Sequence, residues 1–276
     1  MPYYADDHLA LHLGDARHMD AVADESVALI VTSPPYWDLK NYRHAGQVGL
    51  GQSYEEYLEQ LGLVADECRR VLQPGRYLCW VIGTRVSDGD LKHIPADCMR
   101  LFGARGFTLR KEFIWVKPKG TQGLWQRGTT QFLKDKPYPL CVNINIQHEF
   151  ILCFQREGEP VSPLTTADCR LSSDDCGLPT ADCRLPDSFI KETAWSVWEL
   201  RVSQTKGHPA PFPYELPARL IRLYSFPAET VLDPFAGTGT TLQAARDLGR
   251  CGIGYEQSEE YCTLARELLG GELPLR

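Results

Sequence analysis

The chain has 276 residues, 29 Lys and Arg against 36 Asp and Glu, and a formal net charge of −7 at pH 7. That length suits one large α/β domain with insertions and leaves ample chain to bury a core. No apolar stretch reaches membrane-spanning length, and Met1-Pro2-Tyr3-Tyr4-Ala5-Asp6-Asp7 has no basic segment followed by an apolar one, so a cytoplasmic protein without a membrane partner is expected.

Along the chain, short apolar runs alternate with helical patterns, as in strands that cross over through helices. Seven strands are expected, at Leu11–Leu13, Val27–Val31, Tyr77–Ile82, Glu112–Val116, Phe150–Phe154, Thr230–Leu232 and Gly252–Tyr255. The second ends in Ser33-Pro34-Pro35-Tyr36. Two prolines fix φ and cannot continue a sheet ladder, so a buried strand stops there and a rigid turn begins. Such a turn holds a hydroxyl, a free carbonyl and an aromatic face together with little entropy left to lose.

A helix is expected over Tyr54–Leu72, with Ser53 and Glu56 as a capping box and Tyr54, Tyr57, Leu58, Leu61, Ala65, Cys68 and Leu72 at helical spacing before Pro74-Gly75. From Arg100 to Lys136 nine basic residues face only Glu112 and Asp135. Each lysine taken singly reads as part of a solvated face. The grouping of Lys117, Lys119, Arg127, Lys134 and Lys136 in one loop with Trp125 and Phe132 points to phosphate contact, which the net charge alone does not exclude.

The ten cysteines contain no Cys-x-x-Cys pair, so no structural metal is expected. Cys169, Cys176 and Cys183 recur every seven residues in a polar, proline-interrupted stretch that reads as a repeat-derived insertion. Pro213 begins another helix carrying Leu216, Leu220, Ile221 and Leu223, and a last one runs over Glu259–Leu269.

Between these two helices, Thr230-Val231-Leu232-Asp233-Pro234-Phe235-Ala236-Gly237-Thr238-Gly239-Thr240-Thr241 reads as strand, glycine loop and helix start. Gly237 and Gly239 let the backbone turn tightly, and the helix from Thr240 offers unpaired amides. Glu256 closes the next strand about twenty residues on, where ribose hydroxyls are bound in doubly wound folds.

Together these stretches resemble the S-adenosylmethionine-dependent DNA amino-methyltransferases of the permuted β class, in which the catalytic tetrapeptide precedes the cofactor loop. The likeness extends to Leu13-Gly14-Asp15, Gln73-Pro74-Gly75, Trp115-Val116-Lys117-Pro118, His148-Glu149-Phe150 and Gly207-His208-Pro209-Ala210-Pro211-Phe212-Pro213, and is weak from Gln155 to Lys206. The resemblance implies a Rossmann-like α/β fold, with a mostly parallel seven-stranded sheet and helices on both faces. Residues 1–154 would form the catalytic half with a DNA-facing loop over 117–147, 155–206 a variable target-recognition insertion, and 207–276 the cofactor half.

It also implies roles. An exocyclic base amine is a poor nucleophile because its lone pair is conjugated with the ring. Hydrogen bonds to the Ser33 hydroxyl and Pro34 carbonyl would localise that pair, with Pro35 stiffening the turn. Tyr36, otherwise an ordinary core aromatic, and Trp37 would stack on a base flipped out of double-stranded DNA. S-adenosylmethionine would rest on Asp233, Phe235, Ala236, Gly237, Thr238, Gly239 and Thr240 at its methionine end. Glu256 would take its ribose, Asp15 its adenine amine, and Phe212 would cover an apolar part. In this family serine at the first tetrapeptide position is typical of cytosine N4 methylation and aspartate of adenine N6 methylation, so cytosine is expected and adenine is the alternative. An idle DNA-binding protein, or an RNA or protein amine methyltransferase, fits the intact tetrapeptide and the permuted order less well. A homodimer and a cognate restriction endonuclease are the further partners the resemblance suggests, with an orphan role, without a restriction partner, equally open.

Overall fold

The computed structural model describes residues 1–42, 44–87, 90–118, 146–159, 185–201 and 213–270. In chain order its elements are β1 (Tyr4–Ala5), β2 (Leu9–Leu13), β3 (Val27–Thr32), α1 (Tyr54–Val71), β4 (Leu72–Ile82), β5 (Arg85–Ser87), β6 (Asp90–Lys92), α2 (Ile94–Gly103), β7 (Phe107–Val116) and β8 (His148–Arg156). Then follow α3 (Asp187–Thr193), β9 (Val197–Glu199), α4 (Glu215–Tyr224), β10 (Thr230–Asp233), α5 (Thr240–Asp247), β11 (Cys251–Glu256) and α6 (Glu259–Leu268). β5 and β6 form a separate hairpin.

The other strands make one sheet in the order β1-β2-β11-β10-β3-β4-β8-β7-β9. From β2 to β4 every pairing is parallel, while β8 runs antiparallel to both neighbours. The last two strands of the chain thus slot between the first two long ones, so the expected catalytic and cofactor halves share one sheet. The carboxyl ends of β2, β11, β10 and β3 line one edge, where open α/β folds bind ligands.

Among the described residues the sheet has nine strands instead of the expected seven. All seven expected positions are strands. The additions are β1, two residues long, and β9, which pairs with β7 beside what the sequence suggested was only an insertion. β9 alternates exposed, buried, exposed, and its Trp198 stacks on Phe113 with ring centroids 4.4 Å apart. A three-residue alternation is too short to stand out from a polar background.

Helices cover both faces because the strands are apolar on both. All six residues of β3 are buried: Ile30 packs in the cluster containing Tyr57, Leu61, Ala65 and Cys68 of α1 and Cys98 and Phe102 of α2. Leu29 and Val31 pack in another with Leu216, Leu220 and Ile221 of α4 and Ala244 and Ala245 of α5. α1 starts at the expected capping box, in which the Ser53 hydroxyl accepts from the Glu56 amide at 3.1 Å and the Glu56 carboxylate from the Ser53 amide at 2.7 Å. Such caps stabilise by about 1 kcal/mol. The helix stops at Val71 and β4 begins at once; Pro74-Gly75 falls inside that strand, where the register against β3 shifts between Val27 and Leu29. Among the described residues no helix is long and apolar enough to cross a membrane.

Candidate active site

β3 delivers Ser33 to the carboxyl edge of the sheet, and the turn after it is held from several sides. The Tyr57 hydroxyl donates to the Pro35 carbonyl at 2.8 Å, and the Leu39 amide to the Tyr36 carbonyl at 3.2 Å. Trp37 has φ +52°; its indole N–H donates to the Gln52 carbonyl at 2.8 Å and its ring lies edge-on to Tyr54 at 5.2 Å. Trp37 therefore braces the loop that follows the turn. Gly49, at φ +93°, lies so near the Trp37 backbone that a Cβ there would stand 2.6 Å from the Trp37 carbonyl oxygen.

From Ser33 a chain of polar contacts runs inward. The Ser33 hydroxyl donates to the Tyr36 hydroxyl at 3.3 Å, and Tyr36 donates to Glu149 Oε2 at 2.8 Å. The other Glu149 oxygen is ion-paired with Lys117, whose ammonium also lies 4.8 Å over the Trp115 ring. Burial, and then the Glu149 charge, push the Tyr36 phenol well above its usual range. Burial lowers Lys40, helped by Lys117 and opposed by Glu149. The sequence pointed to Lys117 as a phosphate contact; its position here is inward, against Glu149. Glu149 itself had no role assigned from sequence, although a lone carboxylate opening the apolar run Phe150–Phe154 is a visible signal.

The glycine loop faces this turn across the β3–β10 pairing. Asp233, buried at the end of β10, accepts from the Thr32 hydroxyl at 2.6 Å, the Phe235 amide at 3.0 Å and the Thr241 hydroxyl at 2.6 Å. Burial raises its carboxyl to about 6 against these lowering bonds. Gly237 and Gly239 have φ of +52° and +83°, and no side chain caps the α5 N-terminus. A Cβ on Gly254 of β11 would stand 2.9 Å from the Ala236 Cβ, so the loop lies directly on that strand.

Glu256 accepts from the Gly237 amide at 2.9 Å and the Ser258 amide at 2.8 Å. Burial lifts its carboxyl to about 7 despite them. The Gln257 amide also lowers it; an ionised carboxylate has about four acceptor positions, so at least one is left for a hydroxyl donor. Asp15, just past β2, accepts from the Arg17 amide at 2.9 Å and pairs with the Arg17 guanidinium. Burial raises Asp15, but these Arg17 bonds outweigh it and hold the carboxyl below its usual value. Burial raises the phenol of Tyr42, on the loop after the turn, and the charges of Glu149 and Glu256 add to that rise.

The structure thus brings Asp15, Ser33, Asp233 and Glu256 to one sheet edge, with Pro34, Pro35, Tyr36 and the loop from Phe235 to Thr240 beside them. Phe212, Lys119, Arg127, Lys134 and Lys136, and the cysteines 169, 176 and 183, lie outside the described residues. Left-handed glycines, an uncapped helix N-terminus and a strand-end carboxylate with acceptor positions to spare fit an adenosyl amino-acid cofactor.

Comparison with known proteins gives the same direction. Residues 27–267 match a family described as DNA methylase, covering both N6 and N4 methyltransferases. The type II methyltransferase M.MjaI of Methanocaldococcus jannaschii is 32% identical, over 93% of this chain and 89% of that protein. The solved structure of a protein named as a DNA modification methylase from Thermus thermophilus, complexed with S-adenosylmethionine, is 33% identical, with a TM-score of 0.70 over 95% of each chain. PvuII DNA methyltransferase, named as cytosine-N4-specific, shares the fold at 20% identity, with a TM-score of 0.68 over 96% of this chain and 87% of that one.

Proposed function

The chain belongs to the N6/N4 DNA methylases, as a β-class amino-methyltransferase, and from that we propose that it methylates the exocyclic N4 amine of a cytosine flipped out of double-stranded DNA. The observation that carries this is Ser33-Pro34-Pro35-Tyr36 at the end of β3, bonded through Thr32 to the Asp233 that opens the glycine loop. Methyl donor and acceptor sites are thereby tied together.

S-adenosylmethionine is the cofactor, and when bound it supplies a methyl group on a positively charged sulfur that leaves as a neutral thioether. The residues of this chain hold and orient. Glu256 takes the ribose hydroxyls, Asp15 the adenine amine, and the loop amides from Phe235 to Thr240 the methionine end, with Asp233 fixing the loop's shape through its three donors. Phe212 covers an apolar part of the cofactor. Ser33 Oγ and the Pro34 carbonyl would each accept an N–H of the target amine, localising the nitrogen lone pair toward the methyl group, and the amine proton displaced when the N–CH3 bond forms passes to water. The Tyr36 ring supplies a face for the flipped base.

Serine as the first tetrapeptide residue favours cytosine. Adenine N6 is the second reading, supported by the breadth of the family, which includes both chemistries. Lys119, Arg127, Lys134 and Lys136 are proposed to contact phosphates, and the segments 117–147 and 155–206 to read sequence. The enzyme would act in the prokaryotic cytoplasm on nucleoid DNA, as a homodimer and beside a cognate restriction endonuclease; the type II naming of M.MjaI supports that last pairing. The test is transfer of radiolabelled methyl from S-adenosylmethionine to unmethylated genomic DNA, to total RNA and to protein. Label confined to DNA cytosine is expected; label on RNA or protein alone would overturn the reading.

A further inference from the structure

We propose that Glu149 is a positioning residue that sets the direction of the hydrogen bonds through Tyr36 to Ser33, so that Ser33 meets the target amine only as an acceptor. This rests on the methyltransferase reading above and deepens it.

A serine hydroxyl has no fixed polarity, since it donates one hydrogen bond and accepts others. At a site that must draw electron density onto an amine nitrogen, a serine that donated to that nitrogen would occupy the lone pair needed for methyl transfer. Something has to hold its proton elsewhere.

The polar chain does this. An ionised carboxylate only accepts, so the Tyr36 hydroxyl must donate to Glu149, as it does at 2.8 Å. A phenol has one proton, which leaves Tyr36 Oη able only to accept, and the Ser33 hydroxyl donates to it at 3.3 Å. Ser33 then has nothing but lone pairs to offer a substrate. The tetrapeptide serine is thereby made to act as an aspartate would, with the carboxylate placed two hydrogen bonds away.

The surroundings sustain this polarity. The Lys117 ammonium pairs with the other Glu149 oxygen, and the carboxylate is only 13% exposed. Burial and the Glu149 charge keep the Tyr36 phenol protonated across neutral pH. Gly83, just past β4, lets the pieces meet: a Cβ there would stand 3.1 Å from the Tyr36 ring and 3.4 Å from Glu149 Cγ. None of this was required to build the sheet, and the ion pair sits at the ligand-binding edge.

A double-mutant cycle tests it. Wild type, Glu149→Gln, Ser33→Ala and the double variant are compared by single-turnover transfer of labelled methyl to genomic DNA from a methylation-deficient host, with S-adenosylmethionine affinity measured by calorimetry. Glutamine keeps the shape of Glu149 but can also donate, so the polarity is lost. Glu149→Gln is expected to slow transfer by roughly 10- to 100-fold, the scale of other outer-partner losses, with cofactor affinity unchanged. In the Ser33→Ala background it should cost nothing further, because the hydroxyl it orients is gone. Equal losses in both backgrounds, or no loss in the wild-type background, would overturn the proposal while leaving the enzyme's activity established. Should Glu149→Gln bind no cofactor, Tyr36→Phe takes its place in the cycle, since it keeps the ring and removes the link, and the same non-additivity is required. A wild type that binds cofactor but transfers no methyl to DNA would overturn the underlying reading, and the proposal with it.

Discussion

The Thr32 hydroxyl donates to Asp233 Oδ1 at 2.6 Å although the two residues are 201 positions apart in the chain. Thr32 is the last residue of β3, next to Ser33, and Asp233 is the last of β10, at the start of the glycine loop. One hydrogen bond thus joins the turn proposed to receive the target amine to the loop proposed to receive the methyl donor. Thr32→Val keeps the shape and removes the bond. Asp233, its carboxyl already raised to about 6 by burial, would rise further. A carboxyl with a folded pKa above its unfolded value favours the folded state only while protonated, so its contribution is lost as pH rises through the folded pKa. The variant should therefore be destabilised by about 1–3 kcal/mol at pH 8 and clearly less at pH 5, in denaturant titrations. An equal loss at both pH values contradicts this.

The ribose contact proposed for Glu256 predicts a pH dependence of cofactor binding. Burial places its carboxyl at about 7, and the ionised form, which the Gly237 and Ser258 amides favour, is the one proposed to accept from the ribose hydroxyls. Affinity for S-adenosylmethionine should rise between pH 6 and pH 8 with a midpoint at about 7, and Glu256→Gln should bind weakly with no such rise. Calorimetry across that range decides it; a flat wild-type profile would remove Glu256 from ribose binding.

Gly254 tests how closely the glycine loop must lie on β11. An added Cβ would stand 2.9 Å from both the Ala236 Cβ and Leu242 Cδ1, and Ala236 is fixed to the loop backbone. Gly254→Ala should lower stability by about 1–3 kcal/mol and weaken cofactor binding. Gly103, where an added Cβ would meet nothing within 4 Å among the described residues beyond its own helix backbone, is the control, and Gly103→Ala should stay within about 0.5 kcal/mol of wild type. Similar effects from both substitutions would contradict the packing argument.

Ser33→Ala separates catalysis from binding. The hydroxyl is proposed to meet the target amine and bonds to none of the glycine-loop partners described, so turnover should fall by about a hundredfold while cofactor affinity holds. Steady-state kinetics on DNA with parallel calorimetry measures both; unchanged turnover would take Ser33 out of the mechanism.

Much of this was legible in the sequence because it is local. Proline pairs end a strand, glycines at left-handed positions make a loop, and Ser53 with Glu56 writes a helix start, each within a few residues. Even the shared edge of Asp15, Ser33, Asp233 and Glu256 followed once the family's strand order was assumed. What was not legible is what the sheet brings together from afar. Thr32 with Asp233 joins the ends of two strands, and Tyr36 with Glu149 joins the turn to a distant strand; the sequence does not say which residues pair. Lys117 pairs with Glu149 of the strand beside it, a partner its basic surroundings did not announce. β9 escaped notice because three residues cannot show a period.

The most direct measurement is nucleoside mass spectrometry of DNA from a methylation-deficient host expressing the protein, beside a host expressing the Ser33→Ala variant. The account predicts N4-methylcytosine in the first and its loss in the second. N6-methyladenine in place of N4-methylcytosine would contradict the cytosine assignment, and neither modified base in either host would contradict the DNA methylation reading itself.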